Sequence, residues 1–322
     1  MNAVRLIQRY RTAATMFHKY LTSLAPVNYE TEFRASVTNP EEFWAVEAEK
    51  IKWHKRWDEV LSSREQPDAK WFSGGELNTA FNCLDRHVED GFGEQLALIY
   101  DSPVTKSSFT MTYNELLNQV SLFAGVLSRQ CNVQKGDRVL IYMPMVVECL
   151  VAMLACARIG AIHAVVFGGF SAEQLASRIT SAEPKVIVSA SYGKERQKLI
   201  AYKPAVDLAC ELAGNPDFVR CRILYNRPGF DAVPVDKNKG WLDWSELMSR
   251  ARVHDPVPVE ANHPLYILYT SGTTAQSDGT TPSALRAIRQ EDPGLVESKR
   301  YREQLPHLRQ MFVVGEHCDT EH

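Results

Sequence analysis

The sequence predicts an α/β protein in which a parallel sheet is flanked by helices. From Asp137 onward, short apolar runs of strand length alternate with segments that have helical spacing. The apolar runs are nearly continuous, as expected for strands buried on both faces of a sheet. Alternating strands and helices favour β-α-β units and therefore parallel strands.

The chain before Asp137 predicts mostly helices. Asn39 and Pro40 suit the start of a Trp-rich helix, because Pro is tolerated at the first helical position. In this part we expect helices at 40–61, 78–89 and 113–130, a glycine-broken loop at 70–76, and strands at 96–100 and 108–112.

The later elements follow from periodicity and from their ends. Gly160 is a helix terminator, and Ser171 with Gln174 matches a capping box. The predicted strands are 139–143, 164–167, 185–190, 222–225, 264–269 and 311–314. The predicted helices are 146–159, 171–182, 197–213 and 280–290.

Composition limits the classes of partner. The chain has 322 residues, 45% of them hydrophobic and 23% charged, with a net charge of −3. It has no basic stripe with interleaved aromatic residues, and no apolar run of about 18 residues. We therefore expect small-molecule substrates, no nucleic acid and no membrane, while the oligomeric state stays open.

The seven cysteines show neither a CxxC pair nor the regular spacing of a disulfide framework. This usage favours reduced thiols in an intracellular compartment. Cys83 and His87 are four residues apart, as two ligands on a helix would be, but no second pair accompanies them. We predict no metal site.

The first 25 residues have the composition of a mitochondrial transit peptide. They contain basic and hydroxyl residues, and no acidic residue precedes Glu30. The alternative is an ordinary amphipathic first helix. The corresponding locations are the mitochondrial matrix and, as the alternative, the cytoplasm.

The loop after the predicted strand at 264–269 is the sharpest candidate site. It consists of Thr270, Ser271, Gly272, Thr273 and Thr274. Hydroxyls and exposed amides in such a loop can hold phosphate, and ligands of open α/β sheets bind at the carboxyl ends of strands. The loop is neither a Walker A motif nor a Rossmann fingerprint. On these residues alone, a simple turn remains the alternative.

Several stretches give the chain a resemblance to a known family. YILYTSGTT at 266–274 resembles the phosphate loop of the adenylate-forming superfamily. Four further stretches resemble its acetyl- and propionyl-CoA synthetase branch: PEEFW at 40–44, GGELNTAFNCLDRH at 74–87, KGDRVLIYMPM at 135–145 and AMLACARIGAIHAVVFGGFSAEQLASRI at 152–179. ILYNRPGFDAVP at 223–234 leans toward the mitochondrial, propionate-activating member.

The resemblance implies an acid–thiol ligase. Such enzymes condense a short carboxylate with ATP, accompanied by Mg²⁺, to an acyl-adenylate, from which coenzyme A displaces AMP. By the same resemblance, the loop at 270–274 holds the ATP phosphates, and Gly315 and Glu316 lie beside the adenine. The residues implied to contact coenzyme A are Phe167, Gly168, Gly169, Lys194 and Arg196.

The chain also departs from the family pattern. After Thr274 the family has a Gly-x-Pro-Lys-Gly continuation, whereas this chain has AQSDG at 275–279, which lacks the lysine and adds Asp278. The sequence from Thr280 onward then resembles a helix that the family places about a hundred residues later. We therefore expect an internal gap, with no catalytic residue retained.

The resemblance implies four segments: 1–25 as the transit peptide, 28–87 as a helical N-terminal segment, 88–274 as the first part of the AMP-binding domain, and 275–322 as a joined-on, shortened later part. The small C-terminal domain of the family is not represented. An inactive shortened ligase is the favoured hypothesis. The alternatives are a non-catalytic protein that binds nucleotide or coenzyme A, and an unstable fragment.

Overall fold

A computed structural model of the protein describes residues 29–62, 69–195 and 198–269, together with the backbone of two further strands at 279–280 and 312–315. Contacts divide the chain into two units, the first formed by 1–51 and 298–309 and the second by 52–297 and 310–322. Among the described residues, no helix has both the length and the apolar character needed to cross a bilayer.

The described part of the first unit consists of two short helices, α1 (Tyr29–Thr38) and α2 (Pro40–Ala48). Pro40 occupies the first turn of α2 and Asn39 its N-cap position, as the sequence predicts. Residues 49–61, predicted to continue this helix, do not. The helix ends at Ala48, and the chain later enters a strand at Glu59.

The strands, in chain order, are β1 Glu59–Leu61, β2 Trp71–Ser73, β3 Glu76–Leu77, β4 Leu96–Ser102, β5 Ser107–Thr112, β6 Arg138–Tyr142, β7 Ile162–Val165, β8 Val186–Ala190, β9 Tyr192–Glu195, β10 Lys198–Ala201, β11 Cys221–Tyr225, β12 Trp241–Asp243, β13 Val259–Glu260, β14 Tyr266–Tyr269, β15 Gly279–Thr280 and β16 Phe312–Gly315. The helices of the second unit are α3 Tyr113–Gly125, α4 Val147–Arg158, α5 Ala172–Ala182, α6 Tyr202–Leu212 and α7 Trp244–Ser249, with π-helical segments at Phe81–Asp85, Val88–Phe92 and Val126–Gln130 and a 3-10 turn at Lys237–Lys239.

One large sheet organises the second unit. Its strand order is β12-β11-β8-β6-β7-β14-β15, and all neighbours are parallel except β15, which is antiparallel to β14. Helices cover both faces, so the predicted parallel sheet with flanking helices is confirmed. Chain order reverses around β6, since β7 lies on one side of it and β8 on the other.

The two faces of this sheet carry separate cores because side chains alternate along each strand. In β6, Val139 and Ile141 belong to a core that contains residues of α3, α4 and α7. Leu140 and Tyr142 belong to the opposite core, with residues of α5 and α6. Strands buried on both faces explain the nearly continuous apolar runs in the sequence.

Local sequence signals account for the ends of two helices. The Ser171 side chain accepts from the Gln174 backbone, and the Gln174 side chain accepts from the Ser171 backbone, which confirms the predicted capping box. Thr112 and Glu115 make the same arrangement at α3. Reciprocal caps satisfy backbone donors that would otherwise have no partner in the first turn.

The chain between β8 and α6 differs from the expectation of one helix at 197–213. Residues 198–201 form β10, which pairs antiparallel with β9 as a hairpin, and the helix begins only at Tyr202. β-pairing between Ile200 and Gly193 competes successfully with helix here. Such pairing depends on a neighbouring strand and not on the segment's own periodicity.

Candidate functional site

The carboxyl edge of the large sheet brings together several predicted segments. The loop 166–170 follows β7, and Ser191 and the β9–β10 hairpin follow β8. Strand β14 lies beside β7, with Tyr266 opposite His163 and Ile267 opposite Ala164. Thr270 to Thr274 lie outside the described residues, but they follow Tyr269 directly in the chain. The last described residue before the predicted phosphate loop, Tyr269, therefore ends a strand that lies beside β7.

Gly168 is closely packed by an aromatic side chain. A Cβ atom built at Gly168 would lie 2.1 Å from the Tyr202 hydroxyl oxygen and 2.9 Å from its ring. A Cβ at Gly193 would lie 2.7 Å from the same ring. Tyr202 is 3% exposed and so fills the space that both glycines leave. The lack of a side chain at Gly168 is therefore needed for packing within the protein.

Tyr142 fixes the path of the same loop. Its hydroxyl donates toward the carbonyl oxygens of Phe170, at 2.8 Å, and Gly168, at 3.2 Å. Its ring meets that of Tyr202 edge-on, with centroids 4.9 Å apart. Burial raises the pKa of Tyr142, so the hydroxyl keeps the proton that it donates. The backbone at 168–170 is therefore held from beneath by two buried tyrosines.

Phe167 and Gly169 face solvent from this supported loop. Phe167 is 65% exposed, and its ring contacts only the edge of Phe170 among the aromatic pairs of the described residues. Gly169 is also exposed. A large exposed aromatic ring beside exposed backbone amides can stack on a planar ligand and donate hydrogen bonds to it.

Arg178 of α5 connects this loop with the end of β14. Its guanidinium carbon lies 4.7 Å from the ring centroid of Phe170 and 5.4 Å from that of Tyr269. The Tyr269 hydroxyl donates to the Arg178 carbonyl oxygen at 3.4 Å. The Arg178 guanidinium therefore lies over the ring of Phe170, which follows Gly169, and over the ring of Tyr269, which precedes Thr270.

The remaining predicted residues lie further along the same unit. Lys194 is exposed on β9, opposite Leu199 of β10, while Arg196 lies outside the described residues. Gly315 ends β16, which pairs with β4 in a separate three-stranded sheet, and Glu316 lies outside the described residues. The described residues do not bring Gly315 into the large sheet with the other candidates.

A second polar cluster, not predicted from sequence, lines a cavity of about 200 Å³. Arg227 is 3% exposed and donates toward Ser102 Oγ at 3.3 Å and Tyr100 Oη at 3.5 Å. Burial raises the pKa of Glu148, against the lowering effect of its hydrogen bond with Tyr225. Buried polar groups that satisfy one another in this way stabilise the packing between β4 and β11.

The described residues contain no group of three or more potential metal ligands. Cys83 is partly buried, and its burial raises the pKa of its thiol to about 11. His87 packs its ring against Tyr113, with centroids 4.8 Å apart. Both side chains therefore take part in packing within the protein.

Sequence reasoning found the loop after β7 but not the side chains that support it. Tyr142, Tyr202 and Arg178 carry no local motif that marks them. The contacts of Tyr142 and Tyr202 with Gly168, and of Arg178 with Tyr269, join residues 26, 34 and 91 positions apart. The sequence signal for this loop was the glycine pair Gly168-Gly169 directly after a predicted strand.

Comparison with known proteins agrees with the fold and with the motifs. The model of a family described as AMP-binding enzyme matches residues 85–280, and that of the acetyl-coenzyme A synthetase N-terminus matches residues 29–83. The solved structure of acetoacetyl-CoA synthetase from Streptomyces lividans superposes with a TM-score of 0.70 at 28% identity, covering 88% of this chain and 43% of that one.

Two curated relatives are similar in sequence. The human acyl-CoA synthetase short-chain family member 3, mitochondrial, is 38% identical over 385 residues, covering 94% of this chain and 55% of the human protein. The acetyl-coenzyme A synthetase of Streptomyces coelicolor is 46% identical over 238 residues, covering 74% of this chain and 36% of that protein. The chain therefore spans about half the length of the human relative.

The two alignments differ in continuity. The 94% of 322 residues aligned with the human protein is about 303 residues, so roughly 80 of the 385 aligned positions have no residue of this chain opposite them. The 74% aligned with the Streptomyces protein is about 238 residues, which equals the aligned length.

Proposed function

We propose that this chain, which belongs to the AMP-binding enzyme family, represents the adenylate-forming part of a ligase that joins a short-chain carboxylate to coenzyme A through an acyl-adenylate. The observation that carries the proposal is the position of β14 in the large sheet: it lies parallel to β7 and ends at Tyr269, and the hydroxyl–glycine sequence 270–274 follows it in the chain. The synthetases named among the relatives support it.

In this proposal ATP binds through its phosphates to the hydroxyls and amides of residues 270–274, with Mg²⁺ as the companion of the triphosphate. Such a loop at the carboxyl end of a parallel strand can direct backbone N–H groups toward an anion. Arg178 adds a positive charge near the strand that leads into the loop. Gly315 and Glu316 are proposed to lie beside the adenine.

Coenzyme A is proposed to bind at Phe167, Gly168 and Gly169, with Lys194 and Arg196 contacting its phosphates. The described residues fit this ligand, because Phe167 and Gly169 are exposed while the loop is braced from below. Gly169 is exposed, so an adenine can lie close to its backbone. At Gly168 the space for a side chain is already filled by Tyr202.

The acid is proposed to be propionate or acetate. The stretch ILYNRPGFDAVP at 223–234 favours propionate. The relatives are named as a short-chain acyl-CoA synthetase and an acetyl-coenzyme A synthetase, which supports a short acid of either kind.

We propose further that this chain does not catalyse adenylation by itself. Residues 275–279 lack the lysine of the family pattern and add the negative charge of Asp278 close in sequence to the proposed phosphate loop. The roughly 80 positions of the human protein that have no residue of this chain opposite them support an internal loss of that size. Loss of one preorganised cation or donor at a developing phosphate charge costs about a hundred- to a thousandfold in rate.

Pyrophosphate exchange into ATP tests the catalytic part of the proposal. Purified chain with propionate or acetate, ATP, Mg²⁺ and labelled pyrophosphate should give no exchange above an enzyme-free blank. The Streptomyces coelicolor acetyl-coenzyme A synthetase is the positive control. Acid-dependent exchange by this chain would show that the site is competent and that the argument from Asp278 is wrong.

A thermal melt tests the binding part. We expect coenzyme A to raise the melting temperature of the full chain, because a ligand that binds only the folded state stabilises it. Lys194→Ala should reduce this shift, while Lys198→Ala, in the opposite strand of the same hairpin, should leave it unchanged. If neither coenzyme A nor ATP changes the melting temperature, the proposed binding sites are wrong. The lack of any cooperative melt would favour the unstable fragment.

The mitochondrial matrix is the proposed location, with the cytoplasm as the alternative. The name of the human relative and the basic, hydroxyl-rich composition of residues 1–25 support it. Import of the chain into isolated mitochondria with removal of about the first 25 residues is the expected result. Import that does not depend on Arg5, Arg9 and Arg11 would contradict it.

A further inference from the structure

A row of four side chains joins the loop after β7 to the end of β14. The exposed ring of Phe167 meets the edge of Phe170, with ring centroids 5.9 Å apart. The guanidinium carbon of Arg178 lies 4.7 Å from the Phe170 centroid and 5.4 Å from the Tyr269 centroid. Both distances are within the range of about 6 Å in which a cation is attracted to a ring face. We call these four residues the cation–ring stack.

The stack joins two segments beyond the end of their backbone pairing. The registered pairs between β7 and β14 end with Ile267 opposite Ala164. Past this point, the Tyr269 hydroxyl donates to the Arg178 carbonyl oxygen at 3.4 Å, and the Tyr269 ring lies against the guanidinium. The position of Tyr269 relative to the loop after β7 therefore depends on Arg178.

The guanidinium of Arg178 lies between two rings and also bonds to one backbone acceptor. Its Nη1 donates to the Gln174 carbonyl oxygen at 3.0 Å. Among the residues that the structure describes, its Nε is buried and has no hydrogen-bond partner. A planar guanidinium stacks on aromatic rings through its faces, whereas the ammonium of lysine is a compact point charge. The contact therefore depends on the shape of arginine as well as on its charge.

The backbones that carry the middle of the stack are fixed. The Tyr142 hydroxyl donates to the Phe170 carbonyl oxygen at 2.8 Å. Arg178 lies in α5, which contributes fully buried side chains to one of the two cores. The orientations of the rings and of the guanidinium are therefore the main freedom that remains. A ligand that packs on Phe167 restricts its ring, and the restriction reaches Tyr269 through successive contacts.

We propose that Arg178 is a positioning residue that couples the binding of coenzyme A at Phe167 to the placement of Tyr269, which directly precedes the predicted phosphate loop in the chain. The inference rests on the proposed function, because it takes coenzyme A as the ligand of Phe167 and ATP as the ligand of residues 270–274. The first ligand restricts the cation–ring stack, so the second pays less of the ordering cost. Each ligand then raises the affinity for the other by the same factor.

Titration calorimetry of the full chain measures this coupling. ATP with Mg²⁺ is titrated into the protein without coenzyme A and then with saturating coenzyme A, at one ionic strength. In the wild type we expect coenzyme A to raise the ATP affinity about three- to tenfold, which is the size of one cation–ring contact. Arg178→Met should reduce this factor to about one, because the stack is interrupted.

Three further variants separate the possible roles of Arg178. Arg178→Lys keeps the charge but not the planar group, so it should also lose the coupling. Tyr269→Phe keeps the ring and should retain the coupling, whereas Tyr269→Leu should abolish it. If Arg178 only supported the fold, the effect of coenzyme A on ATP affinity would be the same in all of these proteins.

Arg138→Met is the matched control, because Arg138 contacts the opposite end of the same helix. Its Nε donates to the Ala182 carbonyl oxygen at 2.9 Å, so its loss removes a contact to α5 outside the stack. This variant should retain the coupling. Hydrogen exchange gives a readout that needs no ATP: coenzyme A alone should slow exchange of the Tyr269 amide in the wild type and not in Arg178→Met.

The results that would overturn the inference differ from those that would overturn the proposed function. If both ligands bind the wild type without affecting each other, the inference is wrong while the proposed binding sites stand. Full coupling in Arg178→Lys would show that charge suffices and would also overturn it. If neither ligand binds, or if coenzyme A displaces ATP, the proposed function fails and the inference fails with it. If Arg178→Met does not fold, Arg178→Lys and the two Tyr269 variants give the same comparison.

Discussion

His163 shows how burial changes the pKa of a side chain in a way that the sequence does not reveal. It lies in β7, is 6% exposed, and stacks on Tyr266 with ring centroids 5.6 Å apart. Among the described residues, its Nδ1 atom has no hydrogen-bond partner. Burial lowers the pKa of His163 to about 4, so the ring is neutral at neutral pH.

This histidine predicts acid-dependent stability. Its pKa is lower in the folded than in the unfolded chain, where it is about 6.5, so its contribution is complete above pH 6.5. Stability should fall as pH drops from 6.5 to about 4, by about 2–3 kcal/mol in total. Urea unfolding at a series of pH values measures the change.

His163→Gln should flatten this pH dependence, although it lowers stability at pH 7. His54→Gln, at an exposed position, is the matched control and should retain the wild-type profile. An NMR titration in which the His163 ring protonates near pH 6.5 would contradict the assignment. In that case the ring would be solvated in the folded state.

Gly168 and Gly169 are adjacent in sequence but meet different requirements. The sequence suggested that the glycine pair leaves room for a ligand. The structure adds that Tyr202 packs against Gly168 so closely that a Cβ atom there would clash with its hydroxyl. The motif at 168–169 therefore combines one glycine needed for internal packing with one that remains open to a ligand.

At the scale of elements, the N-terminus of α5 is the clearest case of local control. Ser171 and Gln174 form a reciprocal cap directly after the Phe167–Gly169 loop. Ser171→Ala should destabilise the protein by about 1 kcal/mol because the first turn loses its acceptor. Guanidinium unfolding of the two proteins measures the difference.

Ser177→Ala is the matched control for this helix, since Ser177 is exposed in its interior. Alanine is the better helix former there, so this variant should be neutral or slightly stabilising. Equal losses in both variants would mean that the serine hydroxyl at 171 does not act as a cap.

At the scale of the whole molecule, a buried ion pair connects distant parts of the second unit. Arg158, at the end of α4, makes a two-pronged contact with Asp85, with Nη1–Oδ2 at 2.7 Å and Nη2–Oδ1 at 3.0 Å. Its Nε donates to the His254 carbonyl oxygen at 2.6 Å. Three segments from positions 85, 158 and 254 therefore share one guanidinium.

Removal of this guanidinium should be costly. Arg158→Met leaves the Asp85 carboxylate, whose side chain is 14% exposed, without its partner. We expect a loss of about 3–5 kcal/mol in the free energy of unfolding. Replacing both partners, as Arg158→Met with Asp85→Leu, should recover part of it.

An exposed ion pair provides the comparison. Arg250, which directly follows α7, contacts Glu246 of that helix, and the two side chains are 71% and 39% exposed. Arg250→Met should cost no more than about 0.5 kcal/mol. A similar small cost for Arg158→Met in chemical denaturation would show that water reaches Asp85.

The sequence by itself determined the features whose causes lie within a few residues. Continuous apolar runs predicted the parallel strands, Ser171 and Gln174 predicted a helix start, and the strand end at Tyr269 predicted a loop suited to phosphate. The family resemblance rests on motifs of the same short range, and the matches over residues 29–83 and 85–280 confirm it. Signals of this kind reflect interactions between neighbours in the chain, so they can be recognised in the sequence without the tertiary structure.

Only the tertiary structure decided the rest. It placed Tyr202 against Gly168 and Asp85 against Arg158, and it converted the start of a predicted helix at 197–213 into the strand β10. Each of these depends on groups that are distant in sequence and meet only when strands and helices pack. Periodicity along one segment contains no information about the segment that packs against it, and that packing decides which groups are buried and which charges are paired.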